Sequence, residues 1–102
     1  MNVRTCSQES LLRPTPGDVG QKIEPDDDPL SFGAFDKNTR IVMVTVDTNA
    51  VRATFDGTAP NDSVGNYLPV GTVLWLSKEA ATAAKFHHAS AKGLVYGSPF
   101  TF

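Results

Sequence analysis

The side chains in this sequence whose types could do chemistry are His87 and His88, Cys6, the run Asp26-Asp27-Asp28 behind Glu24, the turn acids Asp56 and Asp62, and the aromatics Tyr67 and Trp75. Adjacent histidines invite a metal reading, because neutral imidazole is a common ligand of zinc and related ions. In a strand, however, neighbouring residues point to opposite faces, so one ion does not easily take both. Exposed histidines beside Lys85 are expected instead, with no metal. Cys6 as a nucleophile would need a histidine base, and no local motif supplies one. As the single cysteine it cannot close a disulfide within the chain, which fits a reducing site of synthesis. Asp26 to Asp28 could offer oxygen ligands to calcium, yet the spacing lacks the alternating ligands and central glycine of an EF-hand loop. Those carboxylates are expected to be solvated or to meet basic groups on a neighbouring chain. Asp56 and Asp62 stand in turn clusters, where such side chains bond their own backbone. Trp75 and Tyr67 could stack on sugar rings, but Trp75 shares a strand face with Val73 in an apolar run and is expected in the core. No acid, base and nucleophile group together. No enzymatic activity and no cofactor are expected.

The elements that would position these residues centre on Ile41 to Leu76, which reads as three strands broken by two turn clusters. In Ile41 to Val46 both faces are apolar, with Val42, Val44 and Val46 on one and Ile41, Met43 and Thr45 on the other. Such a strand is central and covered, or lies under another segment or a partner. Asp47-Thr48-Asn49 turns the chain into Ala50 to Phe55, where Val51, Ala53 and Phe55 alternate with Arg52 and Thr54 as on a strand with one wet face. Structural turn residues follow: Asp56 and Gly57, then Pro60, then Pro69 and Gly71, with Pro69 read as the second residue of its turn. Ser77 is placed as the N-cap of a short Ala-rich helical turn within Lys78 to Lys85. Phe86 to Ala89 and Leu94 to Tyr96 read as further strands, the last closed by Gly97 and Pro99.

Short strands at intervals of about 10 residues, with no long amphipathic helix, predict an all-β fold, a small β-sandwich or jelly-roll-like barrel with one short helical turn. One helix against a sheet is the alternative. The sandwich is assigned to residues 40–102. Residues 1–39, interrupted by Pro14, Pro16, Pro25 and Pro29, read as an extended N-terminal arm with too few apolar groups to order itself. Contacts between chains are expected to hold it, anchored by Leu11, Leu12, Leu30, Phe32 and Phe35 and by the carboxylates of Asp26, Asp27 and Asp28, with Phe100 and Phe102 of the tail as further interface residues. Deletion of Met1 to Asp36 is expected to leave a folded sandwich that no longer attaches to neighbouring chains.

A chain of 102 residues has room for one small domain. No stretch approaches the roughly 18 apolar residues of a membrane span, and the first residues lack the apolar run of a secretory signal, so neither is expected. The net charge of −2 divides into an acidic first third and a mildly basic remainder whose Lys and Arg are spread singly along the sequence. Phosphate-driven binding needs clustered cations, so nucleic acid is not expected as a partner.

Arg52 to Pro60 (RATFDGTAP) and Leu68 to Thr72 (LPVGT) resemble the strand and turn motifs of small β-sandwich structural proteins of tailed-bacteriophage virions, over roughly residues 41–97. The resemblance implies a non-enzymatic virion protein made in the host bacterial cytoplasm. Head decoration (cement) on the major capsid protein is the leading role, as a homo-oligomer or in complex with other virion proteins. A head-to-tail connector or tail component is the alternative within that class. The aromatic-Asp-Gly-Thr-x-Pro piece also resembles sandwich modules of carbohydrate-active enzymes, which keeps a carbohydrate-binding module in view.

Overall fold

The computed structural model describes residues 12–61 and 63–101. Leu11, Asp62, Phe102 and Cys6 therefore lie outside the described residues. The elements in order are β1 (Arg13–Pro14), β2 (Gln21–Ile23), β3 (Ile41–Asp47), β4 (Val51–Thr54), β5 (Asn66–Leu68), β6 (Val73–Ser77), α1 (Lys78–Ala83), β7 (Lys85–His88) and β8 (Leu94–Thr101). They form two antiparallel sheets. The larger runs β8-β3-β6, with β1 and β2 both paired to the outer side of β8, and the smaller runs β5-β4-β7. The fold is all-β with one short helix, as the strand spacing predicts.

The two sheets share one core. Val42, Val44 and Val46 of β3 and Val95 of β8 are buried together with Val51 and Ala53 of β4 and Phe86 of β7. The β3 alternation is resolved by its central place between β8 and β6. Its valines face inward, whereas Ile41, Met43 and Thr45 stay half-buried on the outer face of the large sheet. Val42 and Val44 are fully buried, and at about 25 cal/mol per Å² of apolar area, burying such a side chain stabilises by about 1.5–3 kcal/mol. Ser77 caps α1, its hydroxyl accepting from the Ala80 amide at 3.1 Å. Ala81 on the inner side of the helix and Ala84 at its C-cap are fully buried, small enough to lie close to the sheet.

Residues 12–39 depart from the expected arm. Arg13 and Pro14 pair with Thr101 and Phe100, and Gln21 to Ile23 pair with Gly97 to Val95. Phe32 and Phe35 are buried in the chain's own core, their rings 5.7 Å apart, and Phe32 meets Phe86 edge-on at 5.5 Å. They are core residues and not interface anchors. Composition could not reveal this, because the strands are two and three residues long and exist only through pairing with β8, some 70–90 positions away. The prolines that break helices do not forbid it. Pro25 is itself fully buried, and Thr15 donates its amide to the Pro99 carbonyl at 3.0 Å.

β8 likewise continues past the expected stop at Gly97 and Pro99, running eight residues to Thr101. Gly97 serves packing: a Cβ there would come 2.9 Å from the Phe32 ring. Gly97→Ala is expected to lower stability by about 1–3 kcal/mol through overpacking, readable as a shifted urea midpoint at unchanged slope. The turn before β6 also differs in phase. The Thr72 amide donates to the Pro69 carbonyl at 3.1 Å and Gly71 has φ +94°, so Pro69 is the first residue of a type II turn and Gly71 its third.

Candidate partner-binding face

Among the described residues, those singled out for chemistry do not converge. Asp56 is exposed at the end of β4. The Thr58 amide donates to its carboxylate at 3.0 Å and holds its pKa below the ordinary carboxylate value, which is Asx-turn bonding of the expected kind. Gly57 beside it takes φ +89°, and Pro60 is buried under the loop. Asp26, Asp27 and Asp28 are exposed, and their segment is tied down by its backbone: the His88 amide donates to the Asp26 carbonyl at 3.1 Å.

The histidines are not the exposed pair expected. His87 is buried, with Nδ1 2.7 Å from the His88 carbonyl oxygen and Nε2 3.1 Å from the Asp27 carbonyl oxygen. Both ring nitrogens therefore face backbone carbonyls, one on β7 and one on the segment before β3. The two rings lie 4.5 Å apart despite their adjacent positions, at the end of β7 where the alternation of the pleat stops. Among the described residues no three His, Cys, Asp or Glu side chains gather in a way that could hold a metal ion. His87 works as a clamp on the segment that covers β7.

Trp75 and Tyr67 are on different sheets, β6 and β5, so they make no common platform for a sugar. Tyr67 lies under the Arg52 guanidinium at 5.5 Å. Trp75 is not in the core. It is 48% exposed, because β6 continues the large sheet with Leu74 and Leu76 turned inward and Val73, Trp75 and Ser77 turned out. The period of two was legible, but the apolar run offered two candidate inner faces, and the aromatic one is the outer.

Strand register assembles the outer face of the large sheet. Met43 stands opposite Trp75 on one side and Ser98 on the other, Thr45 opposite Val73 and Tyr96, and Ile41 opposite Phe100. Directly paired residues share a face. Val73, Trp75 and Tyr96 are thus exposed on one surface, with Met43 and Phe100 half-buried among them and Trp75 packed on Phe100 at 5.4 Å and 58°. Beside this patch Phe100, Met43, Pro14, Thr15, Asp18 and Val19 line a concave pocket of about 540 Å³. The fully exposed Val19 stands at its rim in a turn held by the Asp18 carboxylate, which accepts from the Gly20 amide at 3.0 Å and the Asp36 amide at 3.1 Å.

Of the expected interface residues, Phe100 belongs to this face, Leu12 is half-buried, and Leu30, 38% exposed, bridges to Phe86 at the far sheet. The structure also gathers Lys37, Arg40 and Lys78, spread along the sequence, around one open depression with Glu79. No helix among the described residues is long and apolar enough to cross a membrane. No protein-family model matches the chain, and comparison with curated proteins and with solved structures finds no match either.

Proposed function

We propose that this chain is a non-enzymatic structural protein of a tailed-phage virion, docked on neighbouring virion proteins through the outer face of its larger sheet. The observation that carries the docking is the exposure of Val73, Trp75 and Tyr96 together on one sheet face, next to an apolar pocket. Exposed Trp and Tyr are the residue types that dominate binding energy at protein interfaces, and a rigid sheet presents them at little cost in side-chain order. The virion setting is supported by the likeness of Arg52–Pro60 and Leu68–Thr72 to virion sandwich proteins. Within it, head decoration on the major capsid protein is the first reading and a connector or tail position the second.

The exposed Trp75 also favours a carbohydrate-binding reading. Against it, the Trp75 ring is tilted onto Phe100, and its cross-strand neighbour is Met43, where a sugar site would place hydrogen-bonding side chains. Quantitative mass spectrometry of purified particles tests the proposal, together with a glycan-array screen. The expected result is stoichiometric incorporation at capsid-lattice copy number and no glycan binding. Absence from particles, or selective glycan binding, would overturn it.

A further inference from the structure

We infer that β6 is a self-association edge, pairing antiparallel with β6 of a second copy across a two-fold axis at Trp75. This goes beyond the docking reading, because it uses the backbone at the rim of the sheet and not the sheet's face.

The phase of the β3–β6 ladder is fixed at both ends. The Val46 amide donates to the Thr72 carbonyl at 3.1 Å, and the Lys78 amide donates to the Arg40 carbonyl at 3.3 Å. Alternate residues of an antiparallel strand bond the same neighbour, so Leu74 and Leu76 turn their backbone groups to β3. Those of Val73 and Trp75, and the amide of Ser77, point out of the sheet. Strand β6 is an end strand of the larger sheet and has no strand on that side among the described residues.

The other rims are protected. The rim of β7 is covered by the chain before β3: Leu30 and Phe86 exchange backbone bonds at 2.8 Å each way, and the His88 amide reaches Asp26. The outer side of β8 is taken by β1 and β2, which are two and three residues long, and β5 is three residues long. The five residues of β6, Val-Leu-Trp-Leu-Ser, include no charge and no proline, two of the devices that keep an edge from pairing.

The occupant follows from symmetry and charge. Two identical antiparallel edges centred on Trp75 exchange Trp75 bonds both ways, and each Ser77 amide meets the Val73 carbonyl of the other copy. A one-residue slip would turn every side chain to the wrong face. Lys78, the first charge beyond the strand, then lies opposite Thr72 of the other copy, and the two Lys78 stand at opposite ends, roughly 20 Å apart at about 3.3 Å per residue. Nothing charged repels a second copy, and no charge is offered to an acidic or basic foreign strand. The two Trp75 side chains become cross-strand neighbours on one continuous outer face.

Sedimentation velocity of the full chain over a concentration series, with amide exchange at each concentration, tests this. A dimer is expected, with the Val73, Trp75 and Ser77 amides gaining protection as it forms. Val73→Lys should abolish the dimer and leave the monomer folded, since residue 73 is half-exposed. In a Cys6→Ser background, Trp75→Cys should cross-link two copies on oxidation, the paired Cα atoms being about 5.5 Å apart and within disulfide reach. Val73→Cys, whose two copies are about 13 Å apart by strand rise, should not. A strict monomer at all concentrations would overturn the inference. So would a dimer that survives Val73→Lys or leaves the edge amides unprotected, or an edge that pairs only with a strand of another virion protein.

Discussion

Phe86→Ala is expected to remove roughly 3–5 kcal/mol of stability, the usual range for deleting a buried Phe side chain. Phe86 is fully buried in β7 and touches Phe32 edge-on, a geometry worth a further ~0.5–1.5 kcal/mol beyond area alone. Its backbone also holds Leu30 in both directions, so the cavity opens where the covering segment joins the small sheet. Domains of this size have total stabilities of roughly 5–15 kcal/mol, so this one change consumes much of the margin. Chemical denaturation should show a midpoint lowered far more than for Gly97→Ala. Phe86→Leu, which refills most of the volume, should recover over half of the loss.

Removal of residues 1–36 is expected to prevent folding altogether. The sequence reading of residues 1–39 as a detachable arm implies a folded remainder after the same deletion. The structure leads to the opposite expectation, because the deleted segment holds Phe32, Phe35 and Pro25 of the core and both strands on the outer side of β8. Each of the two Phe residues contributes on the order of 3–5 kcal/mol, and the bare backbone of β8 would be exposed as a new edge. The truncated chain should lack the near-ultraviolet dichroism of packed aromatics and should aggregate. A soluble, cooperatively melting product would show that residues 37–102 form a domain unaided.

The parts of the fold legible in the sequence were those coded locally. The alternation Val42, Val44, Val46, the positive φ demanded of Gly57, and Ser77 followed by an Ala-rich run each follow from neighbours a few positions away. What was not legible depends on distant pairing. β1 and β2 have no periodicity of their own. Gly97 reads as a terminator until Phe32 is found lying over it, and His87 reads as exposed until the Asp26–Leu30 segment is seen to cover it. The candidate site failed in a related way. Alternation places Trp75 with Val73, but which side of a strand faces inward is settled by the sheet it joins. An aromatic in an apolar run therefore reads as core, whereas Trp75 is the centre of the exposed face.

The central claim, that the outer face of the larger sheet and not the acidic N-terminal segment binds the particle, is tested most directly by comparing two variants in purified particles. Trp75→Asp puts a charge at the middle of the apolar face at a half-exposed position that the core does not need. Asp26→Asn, Asp27→Asn and Asp28→Asn together remove the exposed carboxylates while leaving the backbone bonds of that segment in place. With both proteins shown to melt like the parent, mass-spectrometric copy number per particle is the readout. Trp75→Asp is expected to be lost from particles and the triple variant to be retained at the parental level. Retention of Trp75→Asp with loss of the triple variant would contradict the claim.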